Sequence, residues 1–192
     1  MGFNLGILIS GNGSNMKNII DACKNGSLKS SVSIVISDNP LAKGLSLANK
    51  QNVKSVLIDR DKFSSTENFE NTILKKLDTA QVNLICLAGF MRILSKNFLK
   101  KCNYKIINVH PSLLPAFKGL NTHQRALKSG AKYSGCTIHY VNEKIDGGEI
   151  IKQKSIKILD SDDKNSLKKK ILMEEHKLYI SVIKDLEKDF NG

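Results

Sequence analysis

The stretch Leu5-Gly-Ile-Leu-Ile9 runs straight into Ser10-Gly-Asn-Gly-Ser-Asn15, and Met16, Ile19, Ile20 and Cys23 follow at helical spacing before Gly26. A short apolar run, a glycine-bearing turn and a helical period predict strand, tight loop and helix. The pattern repeats downstream. Residues 32–36 read as a second strand, 41–51 as a helix, 55–58 as a third strand and 66–78 as an amphipathic helix with Phe69, Ile73 and Leu77 in register. Residues 84–88 form a fourth strand that scarcely alternates. Strands of that kind are buried on both faces, so a parallel sheet covered by helices on both sides is expected.

Beyond residue 100 the character changes. Residues 105–109 read as a strand, followed by His110-Pro-Ser-Leu-Leu-Pro115, a helix over 122–129 closed by Gly130, and an alternating strand over 136–141. Asp146-Gly-Gly148 turns the chain into 149–159, which can pair back antiparallel. Leu167, Ile171, Leu178, Ile183 and Leu186 mark a long terminal helix, with Ser166 as its expected N-cap. The fold class is therefore α/β: a doubly wound, Rossmann-like, mostly parallel sheet with an antiparallel strand in the C-terminal half and a long C-terminal helix. No repeat or linker interrupts it, and one domain is expected over residues 1–192.

Composition bounds the function. A chain of 192 residues carries 30 Lys plus Arg against 18 Asp plus Glu, a net charge of +12, and all but three of the cations are Lys. These lysines are spread along the chain with few aromatics between them, whereas nucleic-acid sites gather cations on one face. No nucleic-acid partner is expected; small anionic ligands suit the charge better. No apolar run approaches the ~20 residues of a membrane span, and the N-terminus lacks the basic lead of a signal peptide. A cytoplasmic protein without membrane attachment is expected. Cys23, Cys86, Cys102 and Cys136 form neither a C-x-x-C pair nor a disulfide-like framework, so buried thiols and no metal are expected.

Chemistry concentrates at strand ends. The Gly11-Asn-Gly-Ser-Asn15 loop precedes a helix, whose free N–H groups, with Ser14 and Asn15, can hold a phosphate. It is not a dinucleotide fingerprint, because Met16 stands where a third glycine is needed, although Asp38 is placed like a ribose-binding acid. Asn108 and His110 lie two residues apart on an alternating strand, so they share a face and can donate to an oxyanion and move a proton. Pro111 and Pro115 would hold the loop after His110 rigid. Thr137, His139 and Val141 share a face of the next strand, His139 reading as a packed residue. Asp146 reads as a turn residue or as a carboxylate partner for His110. Arg92 stands out among scarce arginines as a carboxylate or phosphate contact. His123 reads as a cap or a solvent-facing residue, and Glu175-His176 as a solvated surface pair.

Taken together these segments resemble the glycinamide ribonucleotide formyltransferase family, the folate-dependent enzymes of purine synthesis. The likeness rests on Leu-Ile-Ser-Gly-Asn-Gly-Ser-Asn at 8–15, Leu-Ala-Gly-Phe-Met-Arg at 87–92, Asn-Val-His-Pro-Ser-Leu-Leu-Pro at 108–115, Asp-Gly-Gly at 146–148 and Glu-His at 175. His-Pro-Ser-Leu-Leu-Pro is shared with methionyl-tRNA formyltransferase and formyltetrahydrofolate hydrolase, which carry a further domain for which 192 residues leave no room. The resemblance implies a formyltransferase domain that moves the formyl group of the co-substrate 10-formyltetrahydrofolate to the amine of glycinamide ribonucleotide. It implies Asn108, His110 and Asp146 as catalytic residues, with Asp146 raising the pKa of His110. Gly13, Ser14 and Asn15 would hold the substrate phosphate and Glu175 the ribose hydroxyls. Met91, Arg92, Ile93, Leu94, Asn108, Val141 and Asp146 would meet the folate. A monomer or weak homodimer is expected.

Two departures stand out. Family members often carry Arg or Lys where this chain has Thr66, so that Arg60 or Lys62 would have to replace it, and Tyr179 is followed by Ile180 rather than Pro. Two readings of another class stay open. A dehydrogenase-like nucleotide binder accounts for the glycine loop and Asp38 but gives Asn108, His110 and Asp146 no task. An RNA-binding module accounts for the charge alone.

Overall fold

The computed structural model describes residues 2–191, without the side chain of Asn191. Its strands are β1 (Asn4–Ile9), β2 (Ser31–Ser37), β3 (Ser55–Leu57), β4 (Leu84–Leu87), β5 (Lys105–His110), β6 (Tyr133–Tyr140) and β7 (Ile150–Lys157). The α-helices are α1 (Ser14–Lys24), α2 (Lys43–Lys50), α3 (Thr66–Thr79), α4 (Lys96–Lys101), α5 (Thr122–Lys128) and α6 (Lys164–Asn191), with a 3-10 turn over Arg60–Lys62. One sheet takes the order β3-β2-β1-β4-β5-β6-β7, parallel through β5 and antiparallel at the β5–β6 and β6–β7 pairings. The expected doubly wound sheet is present, with its antiparallel extension and long last helix.

Period-two alternation divides the core between the two faces of the sheet. In β1, Leu5, Ile7 and Ile9 pack with Met16, Ile19, Tyr179 and Val182 from α1 and α6, while Leu8 packs with Phe69, Ile73 and Phe98 from α3 and α4. Each such Leu or Ile contributes about 1.5–3 kcal/mol over an exposed one. Burial on both sides explains why these strands read as continuous apolar runs.

Three local features differ from expectation. Helix α4 was not apparent, because six residues hold less than two turns; the Ser95 hydroxyl caps it by accepting from the Phe98 N–H at 3.1 Å. Strand β6 begins at Tyr133 rather than 136, since Tyr133 and Ser134 pair with Lys157 and Ile156 of β7. Ser166 is not the cap of α6. Asp163 accepts from the N–H groups of Asn165 and Ser166 at 2.9 and 2.7 Å, and the Ser166 hydroxyl accepts in return from the Asp163 N–H at 3.0 Å. This reciprocal arrangement moves the helix start forward to Lys164.

The sheet order reverses direction at β1 and β4, where chain crossovers leave in opposite senses. In open α/β sheets the crevice outside the carboxyl ends at such a point receives ligands. Here those ends carry Ser10–Asn15 after β1, the 88–94 strap after β4 and Asn108–His110 on β5.

Candidate active site

At the end of β1 the backbone turns through Gly13, whose φ of 74° lies in the left-handed region. A Cβ there would stand 3.0 Å from the Gly44 Cα. Helix α1 then begins at Ser14 with no side-chain cap and no acidic residue in its first turn. Its first N–H groups, which no helix can bond internally, make an anion-receiving end. Asn15, 7% exposed, donates through Nδ2 to Glu175 Oε2 at 2.8 Å, and its Oδ1 is buried without a partner. Glu175 is thus no solvated surface residue. The packing of α6 on α1 buries it, and burial raises its pKa, with the Asn15 hydrogen bond opposing. Its neighbour His176 is half-buried, and its carbonyl accepts from Asn18 Nδ2 at 2.9 Å.

Asn108 and His110 leave β5 on one face, and β6 sets His139 opposite Asn108 and Thr137 opposite His110. The His110 ring, 5% exposed, meets an acceptor at each nitrogen: Nδ1 lies 3.3 Å from Asp146 Oδ2 and Nε2 lies 3.0 Å from the Phe117 carbonyl. A ring protonated at both positions donates to both. Asp146 holds its place in a left-handed conformation, φ 45°, and its Oδ2 also accepts from the Gly119 N–H at 2.8 Å. Gly148 makes this loop possible, because a Cβ there would fall 1.7 Å from the Tyr140 carbonyl oxygen. Thr137 anchors the loop after Pro111, donating to the Ser112 carbonyl at 2.7 Å and accepting from the Leu114 N–H at 3.1 Å.

His139 joins this cluster, which corrects its reading as a packed residue only. Burial lowers its pKa, which favours the neutral ring. Nδ1–H donates to the Tyr140 carbonyl at 2.8 Å, which leaves Nε2 to accept from Asn108 Nδ2 at 3.2 Å. That contact orients the Asn108 amide, whose nitrogen carries a second N–H. Its signal in the sequence was its shared face with Thr137; the register that sets it against Asn108 was not readable there. His123 is not the cap of α5, a position that falls to Asn121; it is half-buried within α5 with a pKa lowered first by burial.

The expected folate residues differ in exposure. Met91 and Ile93 are each 69% exposed, while Leu94 is buried. Val141 packs against the apolar cluster that holds Leu94 and lines a cavity of about 400 Å³ with Leu99, Ile106 and Tyr140. Arg92 donates through Nε to Asp38 Oδ2 at 2.5 Å, and its guanidinium lies 6.0 Å from the centre of the Phe69 ring. Arg60 approaches the same ring at 5.7 Å, and its Nη2 donates to Thr66 Oγ1 at 3.1 Å. A cation therefore reaches the Thr66 position from a neighbouring turn, and it is Arg60 that does so. Asp38 does not act as a free ribose-binding acid, because the Ser10 hydroxyl takes its other oxygen at 2.6 Å. The four cysteines are free; burial pushes the Cys136 thiol up to about 12 and the Cys23 thiol to about 11, far from reactive thiolates. Among the described residues no group of three His, Cys, Asp or Glu is placed to hold a metal ion, and no helix is long and apolar enough to cross a membrane.

Beside this doubly wound sheet and the Asn-His-Asp cluster beyond its fifth strand stands a match to the family model for formyl transferases over residues 3–183, and the chain belongs to that family. Within it, the chain is 38% identical over 180 residues to phosphoribosylglycinamide formyltransferase of Haemophilus influenzae, covering 94% of this chain and 85% of that one. It is 42% identical over 172 residues to the trifunctional purine biosynthetic protein adenosine-3 of Drosophila melanogaster, covering 88% of this chain. The chain spans only 13% of that relative's length. The crystal structure of glycinamide ribonucleotide transformylase 1 from Symbiobacterium toebii superposes with a TM-score of 0.94 at 37% identity, covering 98% of this chain and 89% of that one.

Proposed function

We propose that the chain transfers the formyl group of 10-formyltetrahydrofolate to the amine of glycinamide ribonucleotide, giving N-formylglycinamide ribonucleotide and tetrahydrofolate in purine synthesis. The cluster of Asn108, His110 and Asp146, completed by His139, carries this reading. The likeness to phosphoribosylglycinamide formyltransferase of Haemophilus influenzae supports the choice of substrates. Residues 1–192 act in it as a single formyltransferase domain.

In this reading the substrate phosphate sits on the N-terminal N–H groups of α1 at Gly13, Ser14 and Asn15, and Glu175 accepts from ribose hydroxyls. The unpartnered Oδ1 of Asn15 supports a ligand hydroxyl there, since a buried acceptor left unpaired is costly. Met91, Arg92, Ile93, Leu94 and Val141 receive the folate, and Arg60 supplies a second cation for its carboxylates. The amine attacks the formyl carbon, the new C–N bond forms, and the carbonyl pair moves onto oxygen. Asn108 donates to that oxyanion, and His110 donates after exchanging the Phe117 carbonyl for it. Asp146 steadies the imidazolium and, through water, carries the amine proton toward N10 of the folate. The carbonyl then re-forms as the C–N10 bond breaks and tetrahydrofolate leaves. Such an enzyme works on small molecules in the cytoplasm, without nucleic acid or membrane, as a monomer or weak homodimer.

The test mixes protein, glycinamide ribonucleotide and 10-formyltetrahydrofolate and follows tetrahydrofolate by absorbance. Release that requires glycinamide ribonucleotide is expected. Release without it would replace this reading with a hydrolase, and no release would return the chain to a binding role.

A further inference from the structure

Asp38 is a buried carboxylate at a strand end to which the reaction above gives no task. It lies just beyond β2 and is 5% exposed, and each of its oxygens is committed to a different neighbour. Oδ1 accepts from the Ser10 hydroxyl at 2.6 Å and Oδ2 from Arg92 Nε at 2.5 Å. The same Ser10 hydroxyl accepts the Met91 N–H at 2.9 Å. Hydrogen bonds therefore run from Asp38 to Ser10, from Ser10 to Met91, along the chain to Arg92 and back to Asp38. Asn39 adds a further tie, its Nδ2 donating to the Ser10 carbonyl at 2.9 Å.

The members of this ring stand at the roots of two ligand-holding segments. Ser10 directly precedes the Gly11–Asn15 loop, and Met91 and Arg92 lie within the 88–94 strap. A buried carboxylate is tolerated where it is paired and hydrogen-bonded. Here the pairing partners are these two segments, contributed by the ends of β1 and β4. Asp38 reaches both from the end of β2, so one side chain ties together three strand ends.

We propose that Asp38 is a positioning residue that locks the phosphate loop and the folate strap into one bracket, fixing how the two substrates meet. It rests on the transferase reading for the identity of the ligands but not for the bracket itself. Attack of the amine on the formyl carbon requires the two bound molecules to meet at roughly 3–3.5 Å, a distance the two segments set jointly. Ser10 conveys the lock to the loop and Arg92 conveys it to the strap.

Hydrogen exchange on the ligand-free full chain tests the bracket without any substrate. Asp38→Ala is expected to speed exchange in both 10–15 and 89–94. Asp38→Asn keeps an acceptor for Ser10 and loses the charge facing Arg92, so it is expected to loosen 89–94 and leave 10–15 near wild type. Turnover gives the second readout: Asp38→Ala should lower kcat at saturation of both substrates by about tenfold to a hundredfold, because the distance between the bound molecules is no longer held. Wild-type kcat, or loosening of one segment alone in Asp38→Ala, would overturn the proposal. If Asp38→Ala does not fold, unchanged exchange in both segments of Asp38→Asn overturns it equally. Failure of the transferase reading appears instead in the wild-type assay and leaves the exchange result standing.

Discussion

Asn108 and His139 face each other across the β5–β6 ladder, with the Asn108 amide nitrogen 3.2 Å from His139 Nε2. The imidazole can accept there only because its Nδ1–H is given to the Tyr140 carbonyl. Protonating His139 would turn the acceptor into a donor and set two N–H groups against each other. His139→Ala is therefore expected to lower kcat by roughly ten- to a hundredfold, less than loss of an oxyanion donor itself, because Asn108 remains but turns freely. Steady-state kinetics with circular dichroism checks this, and wild-type kcat in a folded variant would show that Asn108 is oriented by other contacts.

His110 and Asp146 are in direct contact and should behave as a unit. Each alanine variant is expected to lose on the order of a hundredfold to a thousandfold in turnover. The double variant should lose little beyond the worse single one, since removing either partner already disables the pair. Independent, multiplying losses would assign the two residues separate tasks.

Stability should fall in mild acid. His123, His139 and His176 all have pKa values below the ordinary 6.5, in each case first because burial disfavours the charged ring. As pH drops through 6.5 the unfolded chain binds protons that the folded chain refuses, so stability present above that pH is lost. Glu175 acts with the opposite sign, because burial raises its pKa above 4.5 and its ionisation weakens the folded state as pH rises. Three groups against one predict a lower urea midpoint at pH 5.5 than at pH 7. His139→Gln should flatten that slope, and a pH-independent midpoint would contradict the burial argument.

The net charge of +12 meets two anionic ligands in the proposed reaction. If the charge steers them, kcat/KM should fall as salt rises while kcat changes little, because screening acts on encounter between separated charges. A salt-independent kcat/KM would reduce the lysines to a solvated background.

Local pattern sufficed for much of this. The run Leu5–Ile9, the glycine turn and the period of Met16, Ile19 and Ile20 state strand, loop and helix, because pleat and helix each impose their own spacing on apolar residues. The Asn108–His110 pair was legible for the same reason, since two residues apart on a strand means one face. Helix α4 was not legible, being too short to show a period, and neither was the start of α6, where Asp163 competes with Ser166 for the capping role.

What the chain by itself determined is thus the order of its elements and the identity of the residues at the strand ends. Only the tertiary structure decided which of those ends meet. Strand order places β1 beside β4 and β6 against β5, and register across those pairs sets His139 on Asn108. Helix packing 160 residues away in sequence turns Glu175 from a surface acid into the buried partner of Asn15. Asp38 carries no local mark of its two bonds to Ser10 and Arg92, because hydrogen bonds between strand ends depend on a sheet that exists only when the whole chain has folded.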